Sequence, residues 1–175
     1  MPRDPKKPEG HNEFSQRFLK TIDAHGWFVM NVVPRQDDDG DAWSYSTGLF
    51  YHYRHPEIII FNEPTDLRHS MINSIGDRVK AGEKFEPGKG YADIIGDFDV
   101  QFRSMHPSHY LDWINSACWF YDDDPNSFPV LQCFYPDMKG KFPWQRGCEK
   151  WAVEQQPLHD KPKKANKKSK EVTEK

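Results

Sequence analysis

"AWSYSTGLFYHYRHPEIIIFN", residues 42–62, decides the fold. It holds two strand-like runs, "WSYSTGLF" and "EIIIF", joined by a linker that carries His52, His55 and Glu57 at its end. Strand alternation in the first run places Trp43, Tyr45, Thr47 and Leu49 on one face and the small residues Ser44, Ser46 and Gly48 on the other. A small-residue face fits either a tightly packed helix or the close approach of a ligand. The second run is continuously apolar, as in a strand covered on both faces, and predicts a central strand. Pro56 keeps the linker before it out of a helix.

Upstream, "HNEFSQRFLKTIDAHG" spaces Phe14, Phe18 and Ile22 four apart between a candidate N-cap, Asn12, and a candidate C′ residue, Gly26. A short amphipathic helix is predicted there. "WFVMNVV" reads as a strand, and "PRQDDDGD" breaks it, so this strand and "WSYSTGLF" form a local antiparallel pair. The acidic loop, Asp37 to Asp41, lacks the ligand spacing of a calcium loop.

Downstream, "TDLRHSMINSIGDRVKAG" carries Leu67, Met71, Ile75 and Val79 at steps of four, with Thr65 as the expected N-cap and Gly82 beyond the end. "YADIIGDFDVQFRSM" alternates from Asp97 onward, with Phe98, Val100 and Phe102 on one side. Helical spacing returns through Tyr110, Trp113, Ile114, Ala117, Phe120 and Tyr121, and "FPVLQCFYPD" supplies a last strand. Helices interrupting hairpin-like strands predict a single α+β domain, with a curved, mostly antiparallel sheet, barrel-like at the extreme, and two or three packed helices.

The chain of 175 residues is long enough for one real core, and 14% aromatic content argues for an ordered middle. Residues 1–10 and 161–175 are expected to be disordered tails around a domain at 11–160. The last fifteen residues hold seven Lys against two Glu on a chain of net charge −3, which leaves the remainder at −8. Such a tail offers only non-specific attraction to nucleic acid or an acidic partner, with no aromatic to stack on a base. No apolar run approaches the ~20 residues of a membrane span, and the first residues have no signal-peptide core, so a cytoplasmic protein is expected. Three cysteines, Cys118, Cys133 and Cys148, without a C-x-x-C pair, read as reduced thiols rather than a disulfide framework.

No catalytic signature is present. The histidines at 52, 55, 69, 106 and 109 do not show the spacing of a metal site, there is no G-x-S-x-G elbow, and "GKG" at 88–90 is too short to cradle a phosphate. "QCFYPDMKGKFPW", residues 132–144, combines a strand end with a Pro-Asp turn. Asp137 there could orient a ligand, and Tyr135 and Trp144 could stack on a flat group.

The segments "GWFVMNV" at 26–32, "YSTGL" at 45–49, "HPEIIIF" at 55–61, "VKAG" before "EKFEPG", "YPDMKGKFPW" at 135–144 and "QQP" at 155–157 resemble the bacterial domain family DUF4262. The resemblance spans about 26–158. It implies a shared fold and a face built from Tyr45, Thr47, Gly48, Pro56, Glu57, Asp137, Phe142, Pro143, Trp144 and Pro157, and it supplies no reaction and no cofactor. With His55 and Tyr135 added, the expectation is a groove between the Y-S-T-G-L strand and the Y-P-D-M-K-G-K-F-P-W loop. Glu57 and Asp137 would be ionised at its rim, and the groove would hold a small molecule or a protein partner, with a homodimer as one assembly. The alternative is a flavin-binding protein or an enzyme of unknown reaction, because the order of elements is loosely like that of flavin-binding split barrels.

Overall fold

The structure is a computed structural model that describes residues 12–164. The expected N-terminal tail and residues 165–175 lie outside the described residues. Lys161 and Lys163, inside the expected C-terminal tail, are bonded to the domain. His109 Nε2 donates to the Lys161 carbonyl at 2.7 Å, the Lys163 N–H donates to Ser108 Oγ at 2.8 Å, and the Lys163 ammonium lies 2.6 Å from Asp112.

Helix α1 (Glu13–His25) is bounded as its residues dictate. Asn12 and Ser15 form a reciprocal capping box, and Gly26 closes the helix at φ 110°. Strands β1 (Phe28–Val32) and β2 (Trp43–Thr47) pair antiparallel, but the expected strand ends at Thr47 and the linker is not free of helix. Gly48 at φ 122° starts a short helix α2 (Leu49–Tyr53), and Pro56 excludes helix only from the residues directly before it, ahead of β3 (Glu57–Phe61). Helix α3 (Thr65–Lys80) follows. Its N-cap is Pro64 rather than Thr65, whose hydroxyl instead accepts from Arg68 Nη2 at 3.1 Å.

The stretch after α3 holds two strands where alternation predicts one. β4 (Gly90–Ile95) turns through Gly96 into β5 (Phe98–Ser104), with a register shift between Tyr91 and Ile95 around Asp93 at φ 65°. The helix predicted through 110–121 is broken into α4 (Tyr110–Trp113) and α5 (Asn115–Phe120), because Ile114 leaves helical geometry at φ −130°, ψ 49°. The Trp113 carbonyl accepts the Trp43 indole N–H at 2.7 Å. β6 (Val130–Phe134) and α6 (Lys150–Gln155) complete the order.

The sheet runs β1-β2-β3-β6-β5-β4. Neighbours are antiparallel except at the β3–β6 seam, where Glu57 faces Val130. β1 and β4 are free edges, so the sheet is open and does not curl into a barrel, and the likeness to flavin-binding split barrels ends at element order. Six α-helices lie among the described residues, more than the two or three expected, because four of them are pieces of four to six residues beside the longer α1 and α3.

Both faces are covered, as "EIIIF" predicts. Ile58 and Ile60 pack with Trp27, Met71, Ile72 and Ile75 under α3, while Ile59 and Phe61 pack with Phe18, Ile22, Ala117 and Phe120 under α1 and α5. All four β3 side chains named here are fully buried. At roughly 1.5–3 kcal/mol each, they anchor the centre of the sheet.

Candidate functional site

The expected site residues divide between two ends of the molecule. Glu57 opens β3 and faces the first residue of β6, whereas Asp137 follows the last. At about 3.3 Å per residue, more than one strand length separates them. Phe61, Trp113 and His159 pack against one another with ring centroids 5.0–5.3 Å apart, and Phe61 shares its core cluster with Tyr45.

Glu57 is not a rim group. It is 1% exposed, and its carboxylate accepts from Ser46 Oγ at 2.6 Å, Tyr121 Oη at 2.5 Å, and the backbone N–H groups of Gly48 at 2.7 Å and of Leu49 and Phe50 at 3.3 Å. Burial pushes its carboxyl up, against donors that all favour the charged form. The carboxylate thus ties the first turn of α2 to β3.

The small face of β2 follows from the same device. Ser46 Oγ accepts from Ile58 N–H at 2.9 Å, Ser44 Oγ accepts from buried Arg68 Nε at 2.9 Å, and Gly48 stands where a Cβ would meet the Gly26 carbonyl at 2.5 Å. Tyr45 is buried, with its hydroxyl accepting from Ser116 N–H at 3.3 Å. Thr47 is buried opposite Phe28, and its hydroxyl has no hydrogen-bond partner among the described residues.

Asp137 is also fully buried rather than solvated. Burial opposes its charge, yet N–H groups of Lys141, Glu149 and Lys139, each at 2.9 Å, outweigh it and hold the carboxyl below its usual range. Tyr135 exchanges two backbone bonds with the Gln156 amide, at 2.9 and 2.8 Å, and its hydroxyl donates to the Phe61 carbonyl at 2.9 Å. Trp144 stacks on Phe142 at 5.2 Å, with the Arg103 guanidinium 4.1 Å above its ring. The "YPDMKGKFPW" and "QQP" segments therefore lock the carboxyl end of the β3–β6 pair shut.

His159, which the sequence did not single out, lies against this lock. Burial, then the neighbouring His109, pushes its imidazole down to about 4, with Asp41, Asp112 and Asp160 pulling the other way. The unfolded chain binds this proton near pH 6.5, so stability from neutral His159 is whole above that pH and falls as pH drops toward 4, by about 3 kcal/mol. His159→Gln should lack this component. Urea unfolding of both proteins at pH 7 and 4.5 checks it, and parallel losses would refute it.

His55 leads to the opposite end. It is 4% exposed; its Nδ1 donates to the Pro56 carbonyl at 2.8 Å, and its Nε2 accepts from Phe85 N–H at 3.0 Å. Burial lowers its affinity for a proton, and nearby Lys84 adds to this, so the ring is a neutral clamp on the loop after α3. The clamp shapes a cleft of about 480 Å³ at the amino ends of β3 and β6. Its floor is Val79, Phe85 and Leu131, its walls include Pro56 and Pro129, and Arg54 and Lys84 stand at the mouth.

Of the expected site residues only His55 and Pro56 line this cleft, with Glu57 buried behind it. Arg54, Lys84 and Phe85 were missed. The stretch "EKFEPG", residues 83–88, carries two of them in the sequence. Among the described residues, no group of three or more His, Cys, Asp or Glu is placed to hold a metal ion, and no helix is long and apolar enough to cross a membrane.

Fold and site define a small α+β domain, helices on both faces of an open sheet, with an amphipathic cleft at the amino ends of its parallel pair. Residues 21–149 match the family model described as a domain of unknown function, DUF4262, and the chain belongs to that family. No curated protein and no solved structure matches the chain.

Proposed function

We propose that this domain is a small-ligand-binding module and that its site is the cleft bounded by Arg54–Pro56, Val79–Pro87 and Pro129–Leu131, rather than the expected groove at Trp144. The observation that carries the reading is the convergence of four chain segments, Ser104 being the fourth, on a cavity of about 480 Å³ with an apolar floor and a charged mouth. Ligand sites commonly enclose ~300–1,000 Å³ and combine an apolar lining with a few polar groups. Three free cysteines, two of them buried, support a reducing, cytoplasmic setting.

Titration of the ¹⁵N-labelled protein with a small fragment library tests this. Amide shifts should concentrate at Val79, Phe85 and Leu131. Ser104→Trp, which fills the cleft from its exposed rim, should weaken every such binder at least tenfold. Shifts scattered over the surface, or indifferent to Ser104→Trp, would overturn the reading.

A further inference from the structure

We propose that the cleft selects ligands with an anionic head on an apolar body, the head held between Arg54 and Lys84 and the body lying on Val79, Phe85 and Leu131. The inference rests on the cleft being the binding site. It adds the chemistry of what binds.

The first support is charge. Arg54, Glu83, Lys84 and Glu86 line the cleft. Both acids are already engaged: Glu83 accepts from Arg78 Nε at 2.6 Å and Nη2 at 2.8 Å, and Glu86 lies 2.6 Å from the Lys89 ammonium. Arg54 and Lys84 form no ion pair within 4 Å among the described residues, although Lys84 lies near enough to Glu86 to help lower its carboxyl. The mouth therefore carries two cations that no direct ion pair holds, Arg54 the freer of them. His55 adds no charge of its own, because its two nitrogens are occupied by the Pro56 carbonyl and the Phe85 N–H.

The second support is conformational and independent of charge. Arg54 closes α2 in the left-handed region, φ 58°, ψ 25°, with its N–H bonded to the Phe50 carbonyl at 3.0 Å. Glycine is the residue that this helix-end geometry favours, and an arginine there is strained. Among the described residues its guanidinium makes no hydrogen bond or ion pair and lies over the Phe50 ring at 5.8 Å. A strained residue with little to hold it internally, set at the mouth of a cleft, fits a role toward a ligand. The floor offers Phe85, itself edge-on to His55 at 5.8 Å, and two aliphatic side chains, which suit an apolar body rather than a sugar.

Phenyl phosphate, benzoate and neutral benzyl alcohol, titrated separately into the full-length labelled chain, form the test. At least one of the two anions should shift Val79, Phe85 and Leu131 with tenfold or more higher affinity than benzyl alcohol, and the stronger of the two identifies the head as phosphate or carboxylate. Arg54→Ala with Lys84→Ala should reduce anion binding at least tenfold, while Lys139→Ala, an exposed lysine outside the cleft, should leave it unchanged. Arg54→Gly guards against loss of fold, since it should raise the thermal midpoint by a few degrees and weaken anion binding together. Equal binding of benzyl alcohol, or anion binding that survives the double substitution or falls equally with Lys139→Ala, would overturn the anionic head and leave the cleft standing. An absence of shifts at the three floor residues with every probe would defeat both.

Discussion

Glu57→Ala is expected to destabilise the domain by at least about 4 kcal/mol. The substitution strands two hydroxyls and three backbone N–H groups in a region closed to water, and a buried donor left unpaired costs roughly 1–3 kcal/mol. Two of the five bonds are long, at 3.3 Å, so the sum stays below five full penalties. Glu57→Gln keeps the shape and one acceptor but turns an amide NH₂ toward donors. It should cost less than Glu57→Ala, because burial already works against the charged form. Urea unfolding measures both. Stability of Glu57→Ala within 1 kcal/mol of the parent would mean that the carboxylate does not hold α2 to β3.

Trp27→Ala is expected to cost about 3–5 kcal/mol, the range for removing a buried aromatic ring. Trp27 is 1% exposed, donates its indole N–H to Asn73 Oδ1 at 3.0 Å, and lies so close to α3 that a Cβ on Gly76 would come within 2.5 Å of its ring. The pair is one device: a ring that needs a glycine. Gly76→Ala alone should therefore cost roughly 1–3 kcal/mol by overpacking. In the Trp27→Ala background the same change should become neutral or stabilising, since alanine is the better helix former and the clash is gone. Additive losses in the double variant would show that the contact is not what excludes a side chain at Gly76.

Much of the fold was legible in the sequence because its strongest periodicities coincide with burial. "EIIIF" has no polar gap and is the strand with helices on both faces, and the four-residue spacing of Met71, Ile75 and Val79 is the buried stripe of α3. β4 was not legible. Only one of its residues is buried, and Asp93 in the left-handed region breaks the alternation that would betray a strand. The break at Ile114 was hidden for the opposite reason, since apolar spacing runs through it undisturbed.

The site was harder. Side-chain patterns show that Glu57 and Asp137 carry charge. They do not show that backbone N–H groups, which every residue possesses, converge on both and turn them into internal staples. The pairing of charges around the cleft was equally invisible, because only the structure shows that Glu83 pairs with Arg78 and Glu86 with Lys89.

The parallel seam bears on how the chain is made. β1, β2 and β3 pair with near neighbours, but β3 gains its second partner only when Val130 arrives, about 70 residues after Glu57. At a translation rate of roughly 5–20 residues per second, several seconds pass between the two. During that interval the open edge of an isoleucine-rich strand waits with unpaired N–H and C=O groups, the feature most prone to pair with another nascent chain. Helix α3, which is synthesised immediately after β3, can shield one face in that time but not the edge. The sheet's strongest strand is thus also the segment for which a chaperone at the ribosome would matter most.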